Sequence, residues 1–492
     1  MSDRRHERSV MAGTAYGAGV AERLRSCNAS GPLETANATG EAGRASCRGL
    51  VRIALSVKRG RVEDAAYQAY GCPATLACAS EVALRARDVS FLDAAVITER
   101  EICHALGLVP SKETSAALAL EALHAALANA IASGCELRAS EREADASGVL
   151  VGMSGGVDSA VAAMMLREQG YRVVGVTLTL WSDSASCDER SCCSPETVRR
   201  ARRVAHNLGI PHLTVDASDV FYTRVVQYFV DEYAGGRTPN PCAKCNSRVR
   251  FGLMLDIAHR LGLSYIATGH YARLSGDPPG LSRGVDRTKD QSYVLAEVAP
   301  EILRQAIFPL GALTKVEVRE LAARAGLEGH SLPESQEICF VPDDDYRRFL
   351  RGRLGDRSGA VVDGEGRVLG GHLGTYNYTI GQRKGLGIAG GEPKYVIALA
   401  AESREVVVGE ASAAAVTGVR MGDITNHRSE TSARVTVQVR SSGEGVPART
   451  AADSDSVKVV FDEPVIGVAP GQTGVVYDGE RVVLAGTIVS SE

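Results

Sequence analysis

The sequence predicts a multidomain protein: an N-terminal α+β domain, an α/β domain with a doubly wound parallel sheet, a small central domain and a C-terminal β-barrel. Three observations predict this fold class. The chain has 492 residues, more than one hydrophobic core usually holds. Strands and helices alternate in its middle, which is typical of a parallel sheet. Near its end, Asp-Gly turns separate alternating strands, and such turns favour hairpins.

The composition is that of an ordinary globular protein, with 45% hydrophobic and 23% charged residues. We expect no membrane partner, because no apolar run approaches roughly 18 residues. The charged N-terminus lacks the apolar core of a secretory signal, so we expect a cytoplasmic location. The net charge of −4 does not indicate a nucleic-acid binder, although charge that steers RNA can be local. Twelve unevenly spaced cysteines suggest metal, cluster or sulfur chemistry.

The first part of the chain, from about Ser46 to Ala130, is predicted to be a small α+β domain. A Lys-Arg-Gly turn separates two strand-like stretches, LVRIALSV and VEDAAYQAYG. Two alanine-rich helical stretches follow, and Ser133-Gly134 marks the end of the second. The polar segment CELRASEREADAS then indicates a linker.

From Gly148 onward, buried strands alternate with helices. Strands are predicted at GVLVGM, YRVVGVTLTLW, PHLTVDAS and SYIATGHYARL, with helices between them. This order favours a doubly wound sheet. From about Gly359 the chain becomes rich in strands, including VVDGEGRVLG and VVYDGERVVLAGTIV, which favour a small barrel.

A glycine-rich hexapeptide, SGGVDS at 154–159, lies between the first of these strands and its helix. The glycines let backbone N–H groups approach a polyanion, and the helix N-terminus favours negative charge. Ser154 and Ser159 can donate to phosphate oxygens, and Asp158 can hold Mg²⁺. An ordinary strand-to-helix turn is the alternative, but the complete hexapeptide in this position favours a phosphate site.

Three cysteines of this region are candidate reactive groups: Cys242 and Cys245 in a CxxC pair, and Cys339. Half a zinc site or a redox pair is the alternative for a lone CxxC. No second CxxC with zinc-finger spacing follows. Further ligands could come from three more cysteines: Cys187, Cys192 and Cys193.

Seven segments in fixed order resemble bacterial tRNA 2-thiouridylases: SGGVDS, GRTPNPCAKCN, ATGHYAR, KDQSYVL, EICF, GQRKGLGI and FDEPVIGVAPGQTGVVYDGE. The similarity runs from about Val149 to Thr487. It implies a loop that splits ATP into AMP and pyrophosphate, with Mg²⁺. It also implies replacement of the C2 oxygen of a tRNA uridine by sulfur, at the anticodon wobble position.

The resemblance also implies roles for single residues. ATP contacts are expected from the loop and two strand ends: Gly152, Met153, Ser154, Gly155, Gly156, Val157, Asp158, Ser159, Leu178 and Gly269. Contacts to tRNA are expected from His270, Lys289, Asp290, Gln291 and Gln472. Asp158, Cys245 and Cys339 are the expected catalytic residues, Cys245 as nucleophile and Cys339 as persulfide carrier. The basic stretch around Arg440 is only loosely matched.

The main departure from the family is Cys242, where many members have Asp. Cys242, Cys245 and Cys339 could hold a [4Fe–4S] cluster and leave one iron open for sulfide. The alternative is a persulfide mechanism, which needs only Cys245 and Cys339. A thiolate in place of Asp favours the cluster.

The front segments GRASCRGLVRIAL and QAYGCPATLACAS resemble proteins on which iron–sulfur clusters are assembled. Cys47 and Cys72 match their first two ligands. The later His-Cys pair is missing at 112–115, and Gly49 stands where these scaffolds carry Asp. Cys78, or Cys103 with His104, is the available substitute, and a docking fold without a cluster is the alternative. Either interpretation concerns sulfur supply, so we expect a cysteine desulfurase or sulfur-relay protein as donor.

The predicted domains are therefore a scaffold-like domain at 1–135, a linker at 136–148, an ATP-pyrophosphatase domain at 149–345, a central tRNA-contacting domain at 346–412 and the barrel at 413–492. Two other functions remain open. One is a sulfur or iron–sulfur carrier with a vestigial ATP loop, against which the intact SGGVDS and Cys339 argue. The other is an ATP-pyrophosphatase acting on a small molecule, against which KDQSYVL and the β module argue.

Overall fold

The computed structural model describes residues 18–26, 29–44, 49–138, 145–181, 195–276, 279–327, 338–341, 344–388, 392–428, 434–453 and 455–492. The predicted fold class is confirmed. Four cysteines considered as ligands lie outside the described residues: Cys47, Cys187, Cys192 and Cys193.

The front domain is a four-stranded antiparallel sheet in the order β1-β2-β3-β4. Its strands are β1 (Ala38–Arg44), β2 (Gly49–Lys58), β3 (Arg61–Tyr70) and β4 (Val89–Ser90). Its helices are α1 (Ala18–Ser26), α2 (Pro73–Ala86), α3 (Phe91–Ala94), α4 (Glu99–Leu106) and α5 (Glu113–Ala132). The turn between β2 and β3 has positive φ at Arg59 and Gly60, 47° and 70°, which matches the twist of a tight hairpin.

Helix α5 is buried on most of its surface. It packs against β1 and β2 on one side and against β7 (His212–Asp216), in the next domain, on the other. Among the described residues, the segment 110–132 that contains α5 is the one stretch long and apolar enough to cross a membrane. The expectation that no such run exists is therefore wrong. Because about two thirds of its most apolar stretch is buried, the segment has the pattern of a core helix.

The second domain contains a five-stranded parallel sheet in the order β11-β8-β5-β6-β7. The other strands are β5 (Asp145–Gly152), β6 (Arg172–Thr179), β8 (Leu263–Ala267) and β11 (Ala306–Ile307). The longer helices are α6 (Val157–Glu168), α7 (Pro195–Asn207), α9 (Gln227–Ala234), α11 (Phe251–Arg260) and α14 (Lys315–Arg324). Strand β5 begins inside the segment predicted as linker, of which residues 139–144 lie outside the description.

Short helices complete this domain: α8 (Ser218–Phe221), α10 (Pro241–Cys245), α12 (Ser292–Leu295) and α13 (Pro300–Leu303). A π-helical turn, Tyr222–Val226, joins α8 to α9, and a second, Asn246–Arg250, joins α10 to α11. The hairpin β9 (Ala272–Ser275) and β10 (Gly280–Arg283) extends from the domain and pairs with the barrel through Ser282 and Arg481.

The last two domains are mainly β. Helix α15 (Tyr346–Leu354) precedes a sheet in the order β13-β12-β15-β14. Its strands are β12 (Gly359–Asp363), β13 (Val368–His372), β14 (Tyr395–Ala400) and β15 (Glu405–Gly409). Six strands then form a barrel that the β16–β21 pairing closes, as predicted. They are β16 (Ala415–Asn426), β17 (Val435–Gln438), β18 (Val446–Asp453), β19 (Ser456–Ile466), β20 (Thr473–Asp478) and β21 (Arg481–Ser491).

Candidate active site

A cavity of about 440 Å³ lies at the carboxyl ends of β5, β6 and β8. The strand order reverses between β5 and β8, and ligands of open α/β sheets bind at such a reversal. Most of the residues expected to contact ATP line the cavity: Gly152, Met153, Ser154, Asp158, Ser159, Leu178 and Gly269. Gly155, Gly156 and Val157 belong to the same loop but not to the lining.

The loop after β5 takes its shape from two glycines. Gly155 has a φ of 71°, and a Cβ there would lie 2.7 Å from the Thr197 carbonyl oxygen. At Gly269, a Cβ would lie 2.8 Å from the Asp158 backbone carbon, so the β8 end can approach the loop only as glycine. Gly156 caps α6, whose first N–H groups therefore face the cavity end of the loop.

Asp158 is held by two groups that the sequence did not identify. Lys315 Nζ donates to both carboxylate oxygens, at 2.6 and 2.7 Å, and Tyr271 Oη donates to one of them at 2.9 Å. Burial and the nearby Asp158 charge raise the pKa of Tyr271, so it remains a hydrogen-bond donor. The Thr314 capping box predicts only where α14 starts, and no local pattern links Lys315 to the loop.

The structure brings Cys242, Cys245 and Cys339 to the same cavity. Cys245 is 5% exposed and belongs to an apolar cluster with Phe340, against which Cys339 also packs. Across the described ranges, however, no group of three or more His, Cys, Asp or Glu side chains is arranged to hold a metal ion. The three thiols therefore share a cavity without forming a ready ligand set for a cluster.

Helix α10, which carries two of these cysteines, is attached to the barrel by hydrogen bonds from both members of a buried ion pair within the ATP domain. Lys244 Nζ donates to Glu297 Oε2 at 2.7 Å and to Thr487 Oγ1, in β21, at 2.8 Å. Thr473, in β20, donates to the other Glu297 oxygen at 2.8 Å. The CxxC pattern gave no sign of this role for Lys244.

Three of the residues expected to contact tRNA, His270, Asp290 and Gln291, line the cavity. Burial lowers the pKa of His270 to about 3, so its ring is neutral. The Asp290 carboxylate is engaged by Arg283 at 3.0 Å and by Ser292 at 2.9 Å. Gln291 accepts a hydrogen bond from the Tyr271 N–H at 3.0 Å. Asp290 and Gln291 thus also order the backbone around the site.

Gln472 lies in a second pocket, of about 510 Å³, and Lys289 lines neither pocket. Around Gln472 the second pocket has four cationic side chains: Arg347, Arg383, Lys384 and Arg440. The motif GQRK supplies two of them. Arg440, in the loosely matched stretch, therefore does line a basic groove.

In the front domain, Cys72 caps α2 and is partly exposed. Burial opposes its ionisation, but hydrogen bonds from Thr75 and the Ala74 backbone outweigh it, so the pKa is lowered. Burial raises the pKa of the Cys78 and Cys103 thiols. Among the residues described here, Cys72, Cys78, Cys103 and His104 do not form a metal-binding group.

Family models match each part of the chain. They are the NifU-like N terminal domain (15–133), the tRNA methyl transferase HUP domain (147–343), the tRNA methyl transferase PRC-barrel domain (347–410) and the aminomethyltransferase beta-barrel domain (417–488). The fold and the site together define a nucleotide-binding HUP-domain enzyme with a NifU-like front domain.

Similar proteins narrow this class of enzyme to one family. The bifunctional protein NifU/MnmA of Rubrobacter xylanophilus is 45% identical over 483 residues, 96% of this chain and 98% of its own. The tRNA-specific 2-thiouridylase MnmA of Carboxydothermus hydrogenoformans is 47% identical over 357 residues, 69% of this chain and 97% of its own. The chain belongs to the tRNA-specific 2-thiouridylase family, in the form joined to a NifU-like domain.

Among solved structures, the U34-tRNA thiolase NcsA of Methanococcus maripaludis with its [4Fe-4S] cluster is 19% identical. The match covers 38% of this chain and 60% of that one, with a TM-score of 0.26.

Proposed function

We propose that the protein uses ATP to replace the C2 oxygen of a tRNA uridine, at the wobble position, with sulfur. The observation that carries the proposal is a single cavity lined by the loop residues Ser154 and Asp158 and by Cys245 and Cys339. Activation of an oxygen by ATP and its displacement by sulfur must occur at one carbon atom. A shared cavity meets that requirement. The names of the relatives agree with this reaction.

In the first step, the uridine O2 attacks the α-phosphorus of ATP and pyrophosphate leaves. The N-terminus of α6 and Lys315 would stabilise the negative charge that develops on the leaving group. Asp158 is the acidic residue of the loop that would hold Mg²⁺, in exchange for its contact with Lys315. The neutral His270 ring can orient the base but adds no charge.

In the second step, a persulfide on Cys339 supplies the sulfur. Its terminal sulfur attacks C2, and AMP leaves with the former O2. The Cys245 thiolate then attacks the Cys339 sulfur, which releases 2-thiouridine and leaves a Cys245–Cys339 disulfide. A thiol reductant must reopen that disulfide. We favour this two-cysteine route because it needs only Cys245 and Cys339, which line the same cavity.

The basic groove around Gln472 is our candidate for binding the tRNA backbone. Its cations, Arg347, Arg383, Lys384 and Arg440, suit phosphate groups, and Gln472 can donate to ribose or phosphate oxygens. Ser441, next to Arg440, lines the cysteine cavity, so the groove adjoins the reaction site. Lys289 would act outside both pockets. The low net charge of the chain is therefore compatible with RNA binding.

We further propose that the front domain receives sulfur from a cysteine desulfurase or a sulfur-relay protein in the cytoplasm. The lowered pKa of the Cys72 thiol favours its thiolate, the form that accepts sulfur. Cys47, which the resemblance pairs with it, lies outside the described residues.

The test is nucleoside mass spectrometry after incubation of the whole protein with ATP, unmodified tRNA, a thiol reductant and polysulfide, whose sulfane sulfur can be transferred to the Cys339 thiolate. We expect 2-thiouridine together with AMP. AMP formation driven by a small molecule but not by tRNA would favour the alternative pyrophosphatase. Sulfur or iron binding with no AMP at all would favour the carrier with a vestigial loop.

A further inference from the structure

The front domain is bonded to a helix of the ATP domain, α7. Arg199 Nε, on α7, donates to Glu121 Oε1, on α5, at 2.9 Å, and Arg44, on β1, reaches the same oxygen at 3.1 Å. Further along α7, His206 Nε2 lies 3.2 Å from the Ala95 carbonyl oxygen, also in the front domain. Two points of α7, about two turns apart, are therefore held by the front domain.

The same helix holds the phosphate loop. Arg200, the residue after Arg199, donates from Nε to the Gly155 carbonyl oxygen at 2.7 Å. Because the peptide unit is planar and trans, fixing this carbonyl points the following N–H, that of Gly156, in the opposite direction. That N–H donates to Ser154 Oγ at 3.4 Å and is one of the loop donors that would bind a phosphate of ATP. Consecutive residues of α7 thus reach the front domain and the loop.

A second route starts from β7, the strand on which α5 packs. His212, buried in β7, shares a hydrogen bond of 2.9 Å with Thr177 Oγ1. Thr177 donates to the Met153 carbonyl oxygen at 2.7 Å, immediately before the loop. His124, on α5, is buried beside this region, with its ring centroid 6.0 Å from that of His206. Gly155 is therefore held by α7, and Met153 is linked through Thr177 to β7, and α5 contacts both α7 and β7.

We propose that the front domain is part of the ATP site: α5 sets the position of α7, and Arg200 transmits that position to the Gly155–Gly156 peptide. Glu121 and Arg200 are positioning residues, since neither lines the cavity. The inference rests on the proposed use of ATP and extends it. It gives the front domain a role in the ATP site that is separate from sulfur delivery.

The experiment compares two variants in the whole protein, Arg200→Gln and Glu121→Arg. With polysulfide as the sulfur source, we expect Arg200→Gln to raise the KM for ATP about tenfold while kcat changes less than about threefold. Glu121→Arg should raise the KM for ATP about fivefold. Adding Arg199→Glu should restore it in part by re-forming the pair with reversed charges, since Arg44 would still face a cation at position 121. Glu41→Arg is the matched control, because Glu41 forms an exposed pair with Arg52 on the same domain.

Hydrogen exchange of residues 153–159 without ATP gives a readout that does not require turnover. We expect faster exchange in Arg200→Gln and Glu121→Arg than in wild type and Glu41→Arg. Unchanged exchange and unchanged KM in both variants would overturn the inference. If the wild type releases no pyrophosphate, the proposed function fails, and the exchange data alone decide whether the front domain positions the loop. If Arg200→Gln does not fold, comparison of Glu121→Arg with the double variant Glu121→Arg/Arg199→Glu provides the same test.

Discussion

Lys315 Nζ bridges both carboxylate oxygens of Asp158, at 2.6 and 2.7 Å, although the two residues are 157 positions apart. The pair is partly buried, with side chains 13% and 33% exposed. It places a cation at the start of α6, where the pyrophosphate of ATP would be expected to bind. The loop therefore needs a residue from a distant helix to balance its charge.

We predict that Asp158→Asn and Lys315→Met both slow tRNA-dependent pyrophosphate release, on the order of 100-fold for Asp158→Asn and at least tenfold for Lys315→Met. The first change removes the Mg²⁺ ligand and the second removes a cation from the leaving group. Pyrophosphate release can be followed by a coupled assay at saturating tRNA. Lys458→Met changes an exposed lysine of the barrel and is the control. Near wild-type release by Asp158→Asn would show that the loop does not bind ATP as proposed.

For the cysteines, we predict that Cys245→Ser and Cys339→Ser lose 2-thiouridine formation but retain a tRNA-dependent burst of pyrophosphate release. The reason is that ATP activation precedes sulfur transfer in the proposed order. Cys242→Asp should stay active and free of iron, since the persulfide route does not use this thiol. Nucleoside mass spectrometry measures 2-thiouridine, the coupled assay measures pyrophosphate, and analysis after anaerobic purification measures iron. Loss of iron, brown colour and activity together in Cys242→Ser would instead establish the cluster.

The Lys244–Glu297 pair is predicted to stabilise the contact between α10 and the barrel. Its side chains are 3% and 6% exposed, so removing one partner leaves a buried charge. We expect Lys244→Met to lower the free energy of unfolding by about 3–5 kcal/mol. The double variant Lys244→Met/Glu297→Leu should be less destabilised than the sum of the single changes. A double-mutant cycle in urea measures the coupling, and additive effects would contradict it.

We predict that acid destabilises the protein, because His124 and His212 are buried where α5 of the front domain packs on β7 of the ATP domain. Burial, with Arg202 and His206 nearby, holds the pKa of both His124 and His212 well below 6.5. Below pH 6.5 the unfolded chain therefore binds protons that the folded protein excludes, and stability falls as the pH is lowered. Each ring should contribute up to about 1.4 kcal/mol per pH unit. Urea titrations between pH 7 and about 5 test this. We expect the free energy of unfolding of His124→Phe to depend less steeply on pH than that of the wild type. An unchanged pH dependence would contradict the role given to His124.

Much of this architecture was predictable because local patterns encode it. SGGVDS follows a buried strand and precedes a helix, so the loop and its place in the sheet were predictable from the sequence. The partners of Asp158 and Lys244 did not follow, because Lys315 and Glu297 meet them only through the packing of separate elements. The same limit applies to α5. Its alanine and leucine pattern predicts a buried helix but does not identify β7 as the surface that it covers.

The π-helical turn Asn246–Arg250, directly after Cys245, has a consequence for insertions and deletions. A π turn accommodates one residue more than the α-helical path would need. Removing one residue from this turn would let α10 and α11 join as a regular α-helix, with α10 rotated by about 100° around the shared axis. Cys242 and Cys245 would then leave the cavity side although every side chain that lines it were retained. The direction in which these two thiols point from the helix axis thus depends on how many residues the turn has, as well as on which residues they are.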